Sequence, residues 1–152
     1  MLGKFVSTSG QLWRISREES LGELQLTLAS GKGLTMKDLR NSSRVAVFAG
    51  PSDEINESLS AARDCREGLE EKNMLLVPIP TDGGAIQTPD ANMDQRFVAR
   101  PARIDRWISW INNQLESVGM RTDTPVHMLL SYEGRVVASG PGRPPWRALS
   151  NE

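Results

Sequence analysis

Two apolar runs separated by one amphipathic helix, and followed much later by a proline-led hairpin, limit what this chain can fold into more than any other feature. Val45-Ala-Val-Phe-Ala49 is continuously apolar, and Met74-Leu-Leu-Val-Pro-Ile79 repeats the pattern. Both runs are too short for helices and rich in branched side chains, which is the pattern of strands buried on both faces. Between them Ile55, Leu59, Ala62 and Leu69 form a stripe at helical spacing, with Cys65 near its edge. A strand, a helix and a strand joined by minimal connections make a right-handed crossover, so the two strands lie parallel. Pro78 cannot donate to a ladder and marks the second as an edge strand.

The rest of the chain has clear punctuation. Ser52 is placed to cap the helix, Asp53 and Glu54 complement its positive end, and Asn73 suits the left-handed residue that ends it. From about 80 to 101 periodicity disappears, and Asp82-Gly-Gly84 and Thr88-Pro-Asp-Ala-Asn92 predict one long loop. Ile104, Trp107, Ile108, Ile111, Leu115 and Val118 restore helical spacing until Gly119. Thr124-Pro-Val-His-Met-Leu-Leu-Ser-Tyr-Glu-Gly-Arg-Val-Val-Ala138 reads as a strand, a tight turn at Glu133-Gly134 and a return strand, followed by the tail Gly140-Pro-Gly-Arg-Pro-Pro-Trp146. Towards the N-terminus, Leu24 to Leu28 alternates as a half-buried strand, Ser30-Gly-Lys-Gly33 is its turn, and Thr35 to Arg40 is a short helical turn. Residues 1–17 read as a flexible segment and 18–149 as a single domain.

This order of elements resembles the thioredoxin fold, an α/β mixed sheet flanked by helices, and the Leu24 to Phe48 stretch resembles its peroxiredoxin-like N-terminal elaboration. Oxidoreductases of this fold place their nucleophile between the first buried strand and its helix. Here that position is Gly50-Pro-Ser-Asp-Glu-Ile-Asn56, which holds no cysteine. The resemblance also implies a cis Thr124–Pro125 bond facing this turn, X-Pro bonds being the ones in which cis costs little.

Composition narrows the chemistry further. One cysteine, Cys65, excludes an internal disulfide and a thiolate zinc site, and one histidine, His127, leaves no histidine cluster in their place. Cys65 lies well inside the helix beside Asp64 and Glu67, which favours a packing role over a low-pKa thiolate. His127 reads as a core or edge histidine rather than a general base. Glu57, Asp64, Glu67, Glu70 and Glu71 interleave with Arg63, Arg66 and Lys72, the pattern of a solvated helix face rather than a cation site. Net charge is −1, with residues 1–95 carrying 10 Lys and Arg against 14 Asp and Glu, and residues 96–152 carrying 8 against 5. Neither half has the basic stripe of a nucleic-acid binder. No apolar run reaches the roughly 20 residues a membrane span requires. The expectation is a domain without catalytic residues, cofactor or metal.

Three blocks carry a closer resemblance: Ser16-Arg-Glu-Glu-Ser-Leu21; Phe48-Ala-Gly-Pro51 running to Val77-Pro-Ile-Pro-Thr-Asp-Gly83; and Trp107-Ile-Ser-Trp110 with Gly134-Arg-Val136 and Gly142-Arg-Pro-Pro-Trp146. In order and spacing the chain resembles the C-terminal soluble region of the Low PSII Accumulation family of chloroplast photosystem II assembly factors. Members of that family also carry tetratricopeptide repeats and two membrane spans upstream, neither of which lies in these 152 residues. The resemblance implies a protein-binding domain on the stromal side of the thylakoid membrane, its partner a photosystem II subunit or assembly factor.

A surface for that partner is suggested by Arg103, Arg106, Trp110 and Asn113, which helical geometry sets on one side of the second helix, with Trp110 at least partly exposed. Arg143, Arg147 and Trp146 extend it from the chain end. Trp and Arg are enriched at interface hot spots. Trp110 equally suits covering the loop or the C-terminal segment of its own domain, and the sequence leaves both open. The alternative function is a one-cysteine thioredoxin- or peroxiredoxin-like oxidoreductase using Cys65.

Overall fold

Apolar residues on alternate sides of the central strands build two cores, and helices close each of them. The structure, a computed structural model, describes residues 18–28, 30–86 and 98–151. The expected flexible segment 1–17 and most of the expected loop lie outside the described residues. In chain order the elements are β1 (Gln25–Thr27), β2 (Gly33–Thr35), a 3-10 turn (Met36–Leu39), β3 (Arg44–Gly50), α1 (Ser52–Asp64) and α2 (Arg66–Glu71). They continue with β4 (Met74–Pro80), β5 (Arg100–Pro101), α3 (Ile104–Ser117), β6 (Val126–Leu130), β7 (Val136–Pro141) and α4 (Trp146–Asn151).

The main sheet has the order β4-β3-β6-β7, and a smaller one the order β2-β1-β5. β4 runs parallel to β3 from the Arg44–Met74 pair to the Gly50–Pro80 pair, and β6 runs antiparallel to β3 with Phe48 opposite His127. β4 is therefore an edge strand of the main sheet, as Pro78 requires. On one face Val45, Val47, Leu75, Val77 and Ile79 meet Trp107, Trp110, Ile111 and Leu115 of α3 together with the N-terminal Leu21, Leu24 and Leu26. On the other, Ala46, Phe48 and Leu76 meet Ile55, Leu59 and Ala62 of α1, Leu69 of α2 and Trp146 of α4. The two sets alternate along β3 and β4 because successive side chains of a strand point to opposite faces.

Several expectations are corrected. The helix expected to run unbroken from Ser52 to Asn73 is two helices bent at Cys65, whose backbone leaves the helical region at φ −111°, ψ 14°. The bend brings α2 against α4, and Gly68 lies so close to Ser150 that no side chain fits between them. Ser52 is the first helical residue rather than the cap; Pro51 occupies that place. Asn73 does take the left-handed conformation, at φ 56°. The loop expected to extend to Pro101 ends sooner: Val98 bridges to Leu76, and β5 pairs with β1, tying the small sheet to the large one. The C-terminal tail ends in a helix, α4, that the proline-rich sequence conceals. Val118, expected on the apolar stripe, is 57% exposed.

Candidate functional site

The turn from β3 into α1 sets the first backbone N–H groups of a helix at the C-terminal end of a central strand. An α-helix begins with unpaired N–H donors and a partial positive charge, which together stabilise an anion such as a thiolate. In this chain the exposed carboxylate of Asp82 accepts from the first residue of the helix. Ser52 donates to Asp82 Oδ2 from its backbone N–H and from its hydroxyl, both at 3.1 Å. Asp82 Oδ1 accepts from the Gly84 N–H at 2.8 Å. These backbone hydrogen bonds, from Gly84 and then Ser52, hold the Asp82 carboxyl below its usual range.

The loop carrying Asp82 is clamped along the turn at three further points. The Thr81 N–H donates to the Gly50 carbonyl at 2.8 Å, and Asn56 Nδ2 donates to the Ala85 carbonyl at 3.2 Å. Gly84 presses on Ser52 so closely that a side chain there would overlap its hydroxyl. Asp82-Gly-Gly84 is thus a cap for α1 supplied from 30 residues away.

From the other side the turn is closed by β6 and the chain end. Gly50 lies against Pro125, where a Cβ on Gly50 would sit 3.2 Å from the proline Cα. The Thr124–Pro125 bond is trans, contrary to expectation. Trans is the favoured isomer by about 0.5–1 kcal/mol, and the close approach to the turn is supplied by Gly50 having no side chain. The Pro125 carbonyl accepts from the Gly142 N–H at 2.7 Å. His127 Nδ1 is 3.1 Å from the Gly142 carbonyl, so that nitrogen carries the proton. Burial pushes the His127 pKa down, partly opposed by this hydrogen bond, and the ring is neutral at pH 7.

Arg143 completes the closure. Its Nε and Nη2 reach the two oxygens of Glu54 at 2.9 and 3.1 Å, and Nη2 also reaches Glu57 at 3.3 Å. The gap lined by Ala49, Glu54, Pro125 and Arg143 is too narrow to admit a water molecule.

The residues expected to form a partner surface are distributed differently from that expectation. Arg103, with φ 56°, and Arg106 are exposed at the start of α3, and Asn113 is exposed further along. Trp110 is not exposed: it is buried, and its Nε1 donates to Ser20 Oγ at 2.8 Å. Trp146 is buried against the opposite face of the main sheet, edge-on to Phe48 with ring centroids 5.3 Å apart, and donates to the buried Ser58 hydroxyl at 3.1 Å. α3 and the chain end therefore pack on opposite faces, and Arg103 and Arg106 do not share one patch with Arg143 and Trp146. Cys65 is half-buried at the far end of α1, about 20 Å along the helix axis from the turn. Among the described residues no group of three or more His, Cys, Asp or Glu is placed to hold a metal, and no helix is long and apolar enough to cross a membrane.

No family model matches the chain. Among solved structures it is similar to BsSco, a member of the Sco family of cytochrome c oxidase assembly proteins, with TM-score 0.55 and 8% identity over 86% of this chain and 88% of that one. It is also similar to peroxiredoxin Q of Xanthomonas campestris, with TM-score 0.54 and 14% identity over 81% and 82%. A third is the reduced 2-Cys peroxiredoxin of Plasmodium vivax, with TM-score 0.53 and 11% identity over 83% and 86%. The fold is thioredoxin-like. At these identities the likeness extends to the fold alone, since one fold hosts many functions.

Sequence reasoning missed Asp82 as the partner of Ser52 and Arg143 as the partner of Glu54. Both pairs join distant segments, and only the charge of each residue hinted at a partner.

Proposed function

We propose that this is a non-catalytic thioredoxin-like domain that acts by binding protein, as part of a factor assisting photosystem II assembly on the stromal side of the chloroplast thylakoid membrane. The observation that carries the first half is the Asp82 carboxylate seated on Ser52. The helix terminus that would stabilise an attacking thiolate is neutralised by a side chain of the same domain, and the adjoining gap is shut by Arg143. The process is supported by the resemblance of three sequence blocks to the Low PSII Accumulation family. Capture from solubilised thylakoids, read by immunoblot for photosystem II subunits, tests it. Retention of a photosystem II subunit or assembly factor is the expected result, and a catch containing neither removes the assignment.

A second reading, an oxidoreductase using Cys65, is favoured by one observation: the half-buried sulfur lines an open groove. Against it stands the distance from the turn, about 20 Å along the helix axis. Peroxide-dependent sulfenic acid at Cys65, with turnover, would put this reading first.

A further inference from the structure

Beyond Arg143, α1 and α2 form one wall of a groove of about 880 Å3, and residues 143–151 form the other. That volume falls within the roughly 300–1,000 Å3 of ordinary ligand clefts. The walls are joined near one end by Arg143 holding Glu54 and Glu57, and they touch again where Gly68 meets Ser150. Ala61, Cys65, Pro144 and Trp146 give the lining an apolar component. Asp64, Glu67 and Glu71 are exposed along the helical wall, and none of the three forms an ion pair among the described residues. Since Arg143 is already engaged, the opposite wall answers these three carboxylates with the single guanidinium of Arg147.

We infer that this groove receives an extended, Lys- and Arg-containing segment of the partner protein. The inference deepens the protein-binding reading above and rests on it. The carboxylates are not gathered closely enough to hold a metal ion, so the charge that complements them is one distributed along a chain. Nucleic acid is excluded by its sign. The apolar lining gives the side chains between the basic residues somewhere to pack, and the rim charges steer and discriminate more than they bind.

The test is selection from a displayed library of random peptides about 12 residues long. Enriched sequences are expected to be basic. Their affinity should fall roughly tenfold in the double variant Glu67→Lys, Glu71→Lys and be retained in Asp105→Lys, Glu116→Lys, an equal charge change on α3 across the sheet. Bound peptide should also slow alkylation of Cys65. The pair Glu67→Gln, Glu71→Gln, set against Asp105→Asn, Glu116→Gln, gives the same comparison if charge reversal disturbs folding. Peptides that bind equally well to the groove variants overturn the groove while leaving protein binding intact elsewhere. Equal loss in the α3 variant reduces the effect to net charge and also overturns it, as does the absence of any basic enrichment. Failure of the protein-binding reading is read separately, from the thylakoid capture.

Discussion

Asp82 and Ser52, 30 residues apart, are joined by two hydrogen bonds, the backbone N–H and the hydroxyl of Ser52 both donating to one carboxylate oxygen at 3.1 Å. A helix cap is ordinarily local, supplied by the residue before the first turn. Here Pro51 occupies that position and has no side-chain oxygen to offer, so the donors are met from across the β4 end. The backbone N–H and the hydroxyl of the first residue of α1 are thereby committed to a side chain of the same domain.

Removal of the Asp82 carboxylate should lower the thermal midpoint by a few degrees, and the double variant Ser52→Ala, Asp82→Ala should lower it by less than the sum of the single effects. Differential scanning calorimetry of the cycle measures this. The same carboxylate has its pKa depressed in the folded state, so its contribution is complete above the usual value of 3.8 and is lost as pH falls below that value through the folded one. Asp82→Asn should flatten that part of the acid limb.

Trp110, expected to be at least partly exposed, is instead buried and bonded to Ser20. A buried tryptophan truncated to alanine costs about 3–5 kcal/mol, so Trp110→Ala should be severely destabilised. Trp110→Phe keeps most of the packing and loses the bond to Ser20, and should fall between the two in urea denaturation. Trp146→Phe leaves the buried Ser58 hydroxyl without its indole donor and should cost about 1–3 kcal/mol.

How much of this was legible follows from which forces are local. The parallel β3–β4 pair, the hairpin about Gly134 and the left-handed Asn73 were readable because hydrophobic period and turn chemistry act within a few residues. Trp110 was misplaced although it lies three residues after Trp107 and four before Gln114, the spacing of one helix face. The buried stripe of α3 is Trp107, Trp110, Ile111, Gln114 and Leu115, rotated by about 40° around the helix axis from the set chosen by hydrophobicity alone. The break at Cys65 and the caps from Asp82 and Arg143 were not readable, since each depends on a segment brought alongside only by the finished fold.

His127 gives a clean pH signal because it is the only histidine in the sequence. Burial lowers its folded pKa beneath the usual 6.5, so the unfolded chain binds the proton more readily. Stability should therefore be insensitive to this group above pH 6.5 and decline as pH falls below it. The imidazole proton resonances should titrate below 6.5, and His127→Gln should remove that part of the decline.

The Arg143 clasp should contribute little to stability and depend on salt. Arg143 and Glu54 are partly exposed, and pairs of this kind are worth about 0–1 kcal/mol. Arg143→Met should shift the thermal midpoint slightly at low ionic strength and not at all in concentrated salt.

The closed, carboxylate-capped turn underlies the proposal that this thioredoxin-like domain is without redox catalysis. The most direct measurement is turnover itself, as reduction of insulin disulfides by dithiothreitol and consumption of hydrogen peroxide, with the wild-type domain, its Cys65→Ser variant and buffer compared side by side. The account predicts three indistinguishable rates in both assays. Wild-type turnover above buffer that disappears in Cys65→Ser would contradict it.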